Sequence, residues 1–324
     1  MSGARPCCAV LLLATVVGGF LPGRAEAGFT VEVVNLDGPG EGLNSNAAWT
    51  PRSGNAATTL GAARLNAVEF ALQVWSQQLD SDVPIRVGVS FDPISGSSPI
   101  TLGIGGPDGL FRDFAGAPRA GTWYASALAD KLAGMDLDPG ELDLHVQFNS
   151  NVDGPGVLGN DGFDYGLGDL GSPSDVWFLP VALHEIAHGL GFVTAVSRAS
   201  GAKLLGYDDA LMAHLVRFGA TPAAFPDMSN GQRLAAMTSG PELQWSGSGI
   251  ATVIGTLTAG WTPAGNVEMY APTTGISGSA MTHFSTTLAP PQLMGPYYLE
   301  GDLEFRVTRA ALWDLGWGEP AACN

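Results

Sequence analysis

Residues 179–192 read LPVALHEIAHGLGF, an apolar run whose only ionisable side chains are His184, Glu185 and His188. Ionisable groups are expensive to bury unless they are paired or bind a metal. Val181, Leu183, Ile186, Ala187 and Leu190 surround the trio at helical spacing, which predicts a buried helix. Ser174 or Asp175 is positioned to cap that helix, and Pro180 is tolerated in a first turn. On such a helix His184 and His188 project from one face. Two neutral imidazoles at this spacing suit one zinc ion, with Glu185 beside them to accept a proton from water. The plainer alternative is a core helix with hydrogen-bonded histidines.

Upstream of the motif the pattern alternates between strands and helices. FTVEVVNL (29–36) reads as a strand, and residues 61–79 carry Leu65, Val68, Phe70, Leu72, Val74, Trp75 and Leu79 at helical spacing. VPIRVGVSF (83–91) alternates as a strand, a glycine-rich loop follows, and residues 122–132 look at least partly helical. ELDLHVQFNS (141–150) is a further strand, with Leu142, Leu144, Val146 and Phe148 on one face and His145 on the other. Downstream, helices are expected near 207–218, 229–238 and 303–317, among Gly/Thr/Ser-rich segments with short strand-like pieces. The expected fold is α+β. Residues 28–191 form an N-terminal catalytic subdomain with a mixed sheet, ending in the zinc-binding helix. Residues 192–324 form a mostly irregular or helical C-terminal subdomain.

The first 27 residues have the order of a secretory signal peptide: Arg5, an apolar stretch from Cys7 to Phe20, and the small-residue site Ala25-Glu26-Ala27. The apolar stretch is short for a membrane span. Cleavage after Ala27 leaves an exported, secreted chain with Cys323 as its one cysteine, so no internal disulfide is expected. It also leaves 12 basic and 30 acidic residues. Such a charge repels nucleic acid and anionic membranes, and both are set aside as partners. The oligomeric state is not legible.

A catalytic zinc takes three protein ligands and leaves a position open. The third is to be found among His145, His214 and His283, or among the carboxylates Asp208, Asp209, Glu242 and Glu268. The Asp/Asn-rich loop 149–169 makes calcium a second candidate metal, although its spacing is not that of an EF-hand and solvated Asx-turns explain the composition equally well. Three functions remain in play: a zinc endopeptidase, a gluzincin-like zinc hydrolase with a carboxylate third ligand, and a non-catalytic surface or binding protein. An intact Glu185 speaks against the last, because a purely structural site has no use for a base.

HEIAHGLGF resembles the metzincin clan of zinc peptidases, whose glycine three residues after the second histidine is matched by Gly191. The usual metzincin has its third histidine three residues further on, where this chain has Thr194. The leishmanolysin-like branch departs in the same way, separating glycine and third histidine by an inserted segment and placing a Met-turn eleven residues beyond. Here His283 is followed after eleven residues by Met294 in QLMGP. The match covers the helix motif and residues 279–298. With its terminal DLGW, the chain looks closer to exported bacterial proteins of this pattern than to the protozoan enzymes. The resemblance implies a peptidase with one catalytic zinc on His184, His188 and His283, Glu185 as general base and Met294 as an apolar floor. Tyr297 or Tyr298, just after the turn, is a candidate oxyanion donor. Many metzincins are held latent by a propeptide cysteine; the segment from Gly28 to the first helix has none, so no such switch is expected.

Overall fold

The computed structural model describes residues 28–95, 100–155, 157–158, 162–168, 175–219, 221–299 and 304–318. The signal segment 1–27, Ser174, Asn160, Asp161, Asp169 and Cys323 lie outside them. The fold is α+β. Its elements begin with β1 (Val31–Asn35), α1 (Leu60–Ser76), β2 (Ile85–Asp92), β3 (Gly103–Pro107), β4 (Leu110–Phe111), β5 (Thr122–Ala125), α2 (Ser126–Ala133) and β6 (Leu144–Asn149). β7 (Phe163–Asp164) and β8 (Val176–Trp177) lead into α3 (Phe178–Gly189), which carries the motif. Then follow β9 (Asp208–Asp209), β10 (Leu215–Arg217), β11 (Ala223–Ala224), α4 (Asn230–Ala236), β12 (Leu243–Trp245), α5 (Ser248–Val253), β13 (Val267–Glu268) and α6 (Arg306–Leu315).

The main sheet runs β1-β2-β6-β3. β1, β2 and β6 are parallel, and β3 closes one side as an antiparallel edge strand. Leu144, Val146 and Phe148 of β6 are buried as their alternation predicts, while His145 points the other way and is half exposed. α1 and α3 cover one face of this sheet. α1 begins at Thr59, whose side chain accepts from the Ala62 amide, satisfying one of the free N–H groups of a helix start. Its buried stripe differs in detail from the apolar residues read in the sequence. Ala63, Ala67, Val68, Ala71, Leu72 and Trp75 are buried, whereas Leu65, Phe70 and Val74 are only half so. Small residues on the inward face let the helices approach closely. Trp75 Nε1 then donates to the Leu183 carbonyl of α3 at 3.0 Å.

The segment 207–218 is not a helix. It is β9, a short turn at Met212–His214, and β10. The reason is Asp209: its buried carboxylate accepts from the Met212 amide at 2.7 Å, the Thr194 hydroxyl at 2.7 Å and the Ala195 amide at 2.9 Å. These bonds tie the backbone to a distant strand of chain and replace helical ones. The C-terminal part also carries more strand than expected, a small sheet in the order β11-β10-β12-β13. The helices near 229–238 and 303–317 are present but shorter, as α4 and α6. One continuous hydrophobic core reaches from Phe29 to Trp317 across both parts. No helix of the described residues is long and apolar enough to cross a membrane.

Candidate metal centre

α3 starts without a side-chain cap. Asp175, expected to cap it, instead accepts from the Gly162 amide at 3.3 Å and lies 3.6 Å from Arg52. The start of the helix is held by Tyr298, whose hydroxyl accepts from the Trp177 amide at 3.0 Å. At the other end Gly191, with φ +112°, takes a backbone conformation open to glycine, and the Phe192 amide closes back on Ala187 at 3.0 Å. The buried Trp317 indole donates to the Leu190 carbonyl at 2.8 Å. The last turn of α3 is thereby fixed, and His188 with it.

His184, His188 and His283 come together although ninety-one residues separate Gly191 from His283. Their ring centroids are 4.9–5.0 Å apart, and one ligand atom from each lies within 4.8 Å of the others. Each Nδ1 faces a backbone carbonyl: His184 that of Leu293 at 2.8 Å, His188 that of Phe192 at 2.8 Å, and His283 that of Ser279 at 2.9 Å. A carbonyl only accepts, so every Nδ1 must carry the hydrogen and every neutral ring presents a bare Nε2. Burial favours this neutral state, pushing His184 and His283 below the ordinary histidine range and His188 down to about 3. Two of these lone pairs, on His184 and His283, face each other at 3.1 Å with no proton between them. A cation held between them would make that arrangement favourable. Tetrahedral zinc, with bonds of about 2.0–2.1 Å, sets its nitrogens roughly 3.3 Å apart, so the donor set fits. Among the described residues this triad is a group close enough to bind a metal ion.

The segment after His283 is built around the triad. Met294 is fully buried, and its carbonyl accepts from the Phe284 amide at 2.7 Å. Next to it, the Leu293 carbonyl orients His184. Tyr298 is committed to the start of α3, as above. Tyr297 is exposed, its hydroxyl 2.9 Å from that of Tyr270.

The other candidate ligands are engaged elsewhere. His145 Nδ1 pairs with Asp108 at 2.9 Å, and His214 stacks on Trp245 at 5.2 Å. Asp208 pairs with Lys203, and Glu242 with Arg217 at 2.8 Å. Glu268 accepts from the Thr287 hydroxyl at 2.6 Å. Thr194, at the position where a short-motif metzincin has its histidine, donates to the buried Asp209. Within the loop considered for calcium, Asp153 pairs with the buried Arg64 at 2.7 Å, and Asn149 donates to the Thr101 carbonyl at 2.7 Å.

Glu185 is buried beside the triad, where loss of water drives its pKa up to about 8 and a bond from the Gly105 amide opposes the rise. Sequence reading missed this partner, having placed the segment between 91 and 122 in a glycine-rich loop. β3 reads GIGGP because α3 lies directly on it. A Cβ on Gly105 would stand 2.1 Å from the Glu185 carbonyl oxygen, and one on Gly103 2.9 Å from Glu185 Cγ. At Gly106 a Cβ would meet nothing within 4 Å. Gly105→Ala is therefore expected to cost about 1–3 kcal/mol through overpacking and to displace Glu185, with Gly106→Ala close to neutral. Denaturant unfolding of both variants measures the difference; equal stabilities would contradict the packing described.

No family model matches this chain, and no curated protein and no solved structure matches it.

Proposed function

We propose that this chain is a secreted zinc-dependent endopeptidase of metzincin-like, leishmanolysin-like type. The observation that carries the reading is the convergence of three hydrogen-free Nε2 atoms beside a buried glutamate on one helix. His184, His188 and His283 would hold the ion. A zinc ion bound there supplies Lewis acidity, lowering the pKa of water to about 7 and polarising a carbonyl.

The residues of the chain divide the remaining work. Glu185, fixed by the Gly105 amide, accepts a proton from the attacking water and returns it to the leaving amine. β3, the edge strand against which α3 packs, has no second strand partner among the described residues, and an extended peptide would add on that side as a further strand. Gly103 and Gly105 keep that strand close to Glu185. The carboxylate-ligand alternative is disfavoured by the engagement of Asp208, Asp209, Glu242 and Glu268 with other groups.

Zinc analysis of the purified mature protein, with cleavage of an unfolded protein assayed with and without chelator, tests the reading. About one zinc per chain and chelator-sensitive cleavage at internal bonds are expected. Metal-free protein with undiminished cleavage would overturn it.

A further inference from the structure

Arg198, Arg233 and Lys131 have no carboxylate partner among the described residues, and of these Arg198 lies beside the metal centre. Arg64, Arg86, Arg217 and Lys203 each pair with a carboxylate. Arg198 instead donates from Nε to the Ala280 carbonyl at 3.4 Å and from Nη2 to the Thr282 hydroxyl at 3.2 Å, and no carboxylate among the described residues pairs with it. Two of its five N–H donors are thus committed to neutral partners. The side chain is more than half buried, and burial lowers its pKa without a carboxylate to offset the loss. A desolvated guanidinium lacking a counter-charge is costly to keep.

Its position is next to the metal centre. Thr282 adjoins His283, and the charge of Arg198 is close enough to disfavour protonation of both His188 and His283. The loop that carries it is tied down by hydrogen bonds and close packing. The Ser197 amide bonds to the Ala202 carbonyl at 2.9 Å and the Gly201 amide to the Ser197 carbonyl at 2.7 Å. Arg233 of α4 donates to the Gly201 carbonyl at 2.6 Å, and Gly201 packs so tightly that a Cβ there would lie 2.1 Å from the Asn230 carbonyl oxygen. The cation is therefore held in place before any ligand arrives. A divalent ion in the triad would add positive charge to this corner.

We propose that Arg198 is a specificity-determining residue which binds a carboxylate of the peptide substrate, supplied by an acidic side chain or by a chain terminus. The proposal rests on the peptidase reading for the bond that is cut, but the carboxylate site itself does not need catalysis to be seen. A charge-assisted guanidinium–carboxylate contact corresponds to a preference of roughly ten- to a hundredfold.

The test uses fluorescent peptides that differ only in a glutamate or glutamine at each position, each made with free and with amidated C-termini. Hydrolysis by the zinc-loaded protein and binding to its Glu185→Gln variant are both measured. An acidic peptide should bind and be cleaved about ten- to a hundredfold better than its neutral partner. Arg198→Gln should bring that ratio close to one with zinc content unchanged, and Arg198→Lys should restore part of it. Selectivity for glutamate in amidated peptides assigns the side chain, and selectivity lost on amidation assigns the terminus. Equal binding of acidic and neutral peptides overturns the proposal, as does an acidic preference that survives Arg198→Gln. Absence of cleavage with Arg198-dependent binding of acidic peptides intact rejects the peptidase reading and leaves the carboxylate site standing.

Discussion

Glu185→Gln is expected to keep about one zinc per chain while hydrolysis falls by about 10²–10⁴-fold. Glutamine retains the shape and the acceptor oxygen that meets the Gly105 amide, so α3 and β3 stay packed. It loses the capacity to take up a proton. Burial and the Gly105 amide are what act on Glu185, and nothing in the described site replaces it as a base: Asp209 is committed to three donors of the chain that follows α3. Metal analysis together with single-turnover cleavage makes the distinction. Wild-type hydrolysis in the variant would remove Glu185 from the mechanism.

The second large effect is expected from His283→Ala, which should lose both metal and activity. The drop in affinity should exceed the roughly 10–100-fold typical of removing an outer partner of a metal ligand. His145→Ala and His214→Ala serve as the comparison. The first removes an exposed partner of Asp108, the second a ring stacked on Trp245, and neither side chain reaches the triad. Both should bind metal close to normally. Normal affinity in His283→Ala would reject the ligand set and return attention to a carboxylate.

Much of the centre was legible because its chemistry is local. Four residues of helix separate His184 from His188, and the apolar residues around them mark the helix as buried. The alternation in 141–150 placed His145 on the outer face of β6, where it lies. His283 was legible through resemblance, since no local pattern connects it to a motif whose Gly191 lies ninety-one intervening residues earlier. What closes that distance is tertiary: the Leu293 carbonyl on His184, the Ser279 carbonyl on His283, and Tyr298 on the start of α3.

The misread segments share a cause. β3 lacks both β-branched residues in alternation and bulk, because its glycines answer to the backbone of α3. In 207–218 the apolar spacing of Leu211, Met212 and Leu215 suits a helix, but the Asp209 carboxylate takes the Met212 amide and bonds to Thr194 and Ala195 as well. In α1 Val68, Leu72 and Trp75 are buried as expected, but Ala63, Ala67 and Ala71 share the stripe while Leu65, Phe70 and Val74 are only half-buried. In each case a contact distant in sequence overrode the local preference.

The central claim is that three neutral imidazoles, each with its hydrogen on Nδ1, hold one zinc through Nε2. Zinc-edge X-ray absorption of the metal-loaded protein, supported by anomalous diffraction at the same edge, tests it most directly. The account predicts one zinc with three imidazole nitrogens at about 2.0–2.1 Å and a further light-atom ligand, with the anomalous peak between His184, His188 and His283. Zinc bound at another place, or at this place with a carboxylate instead of His283, would contradict it.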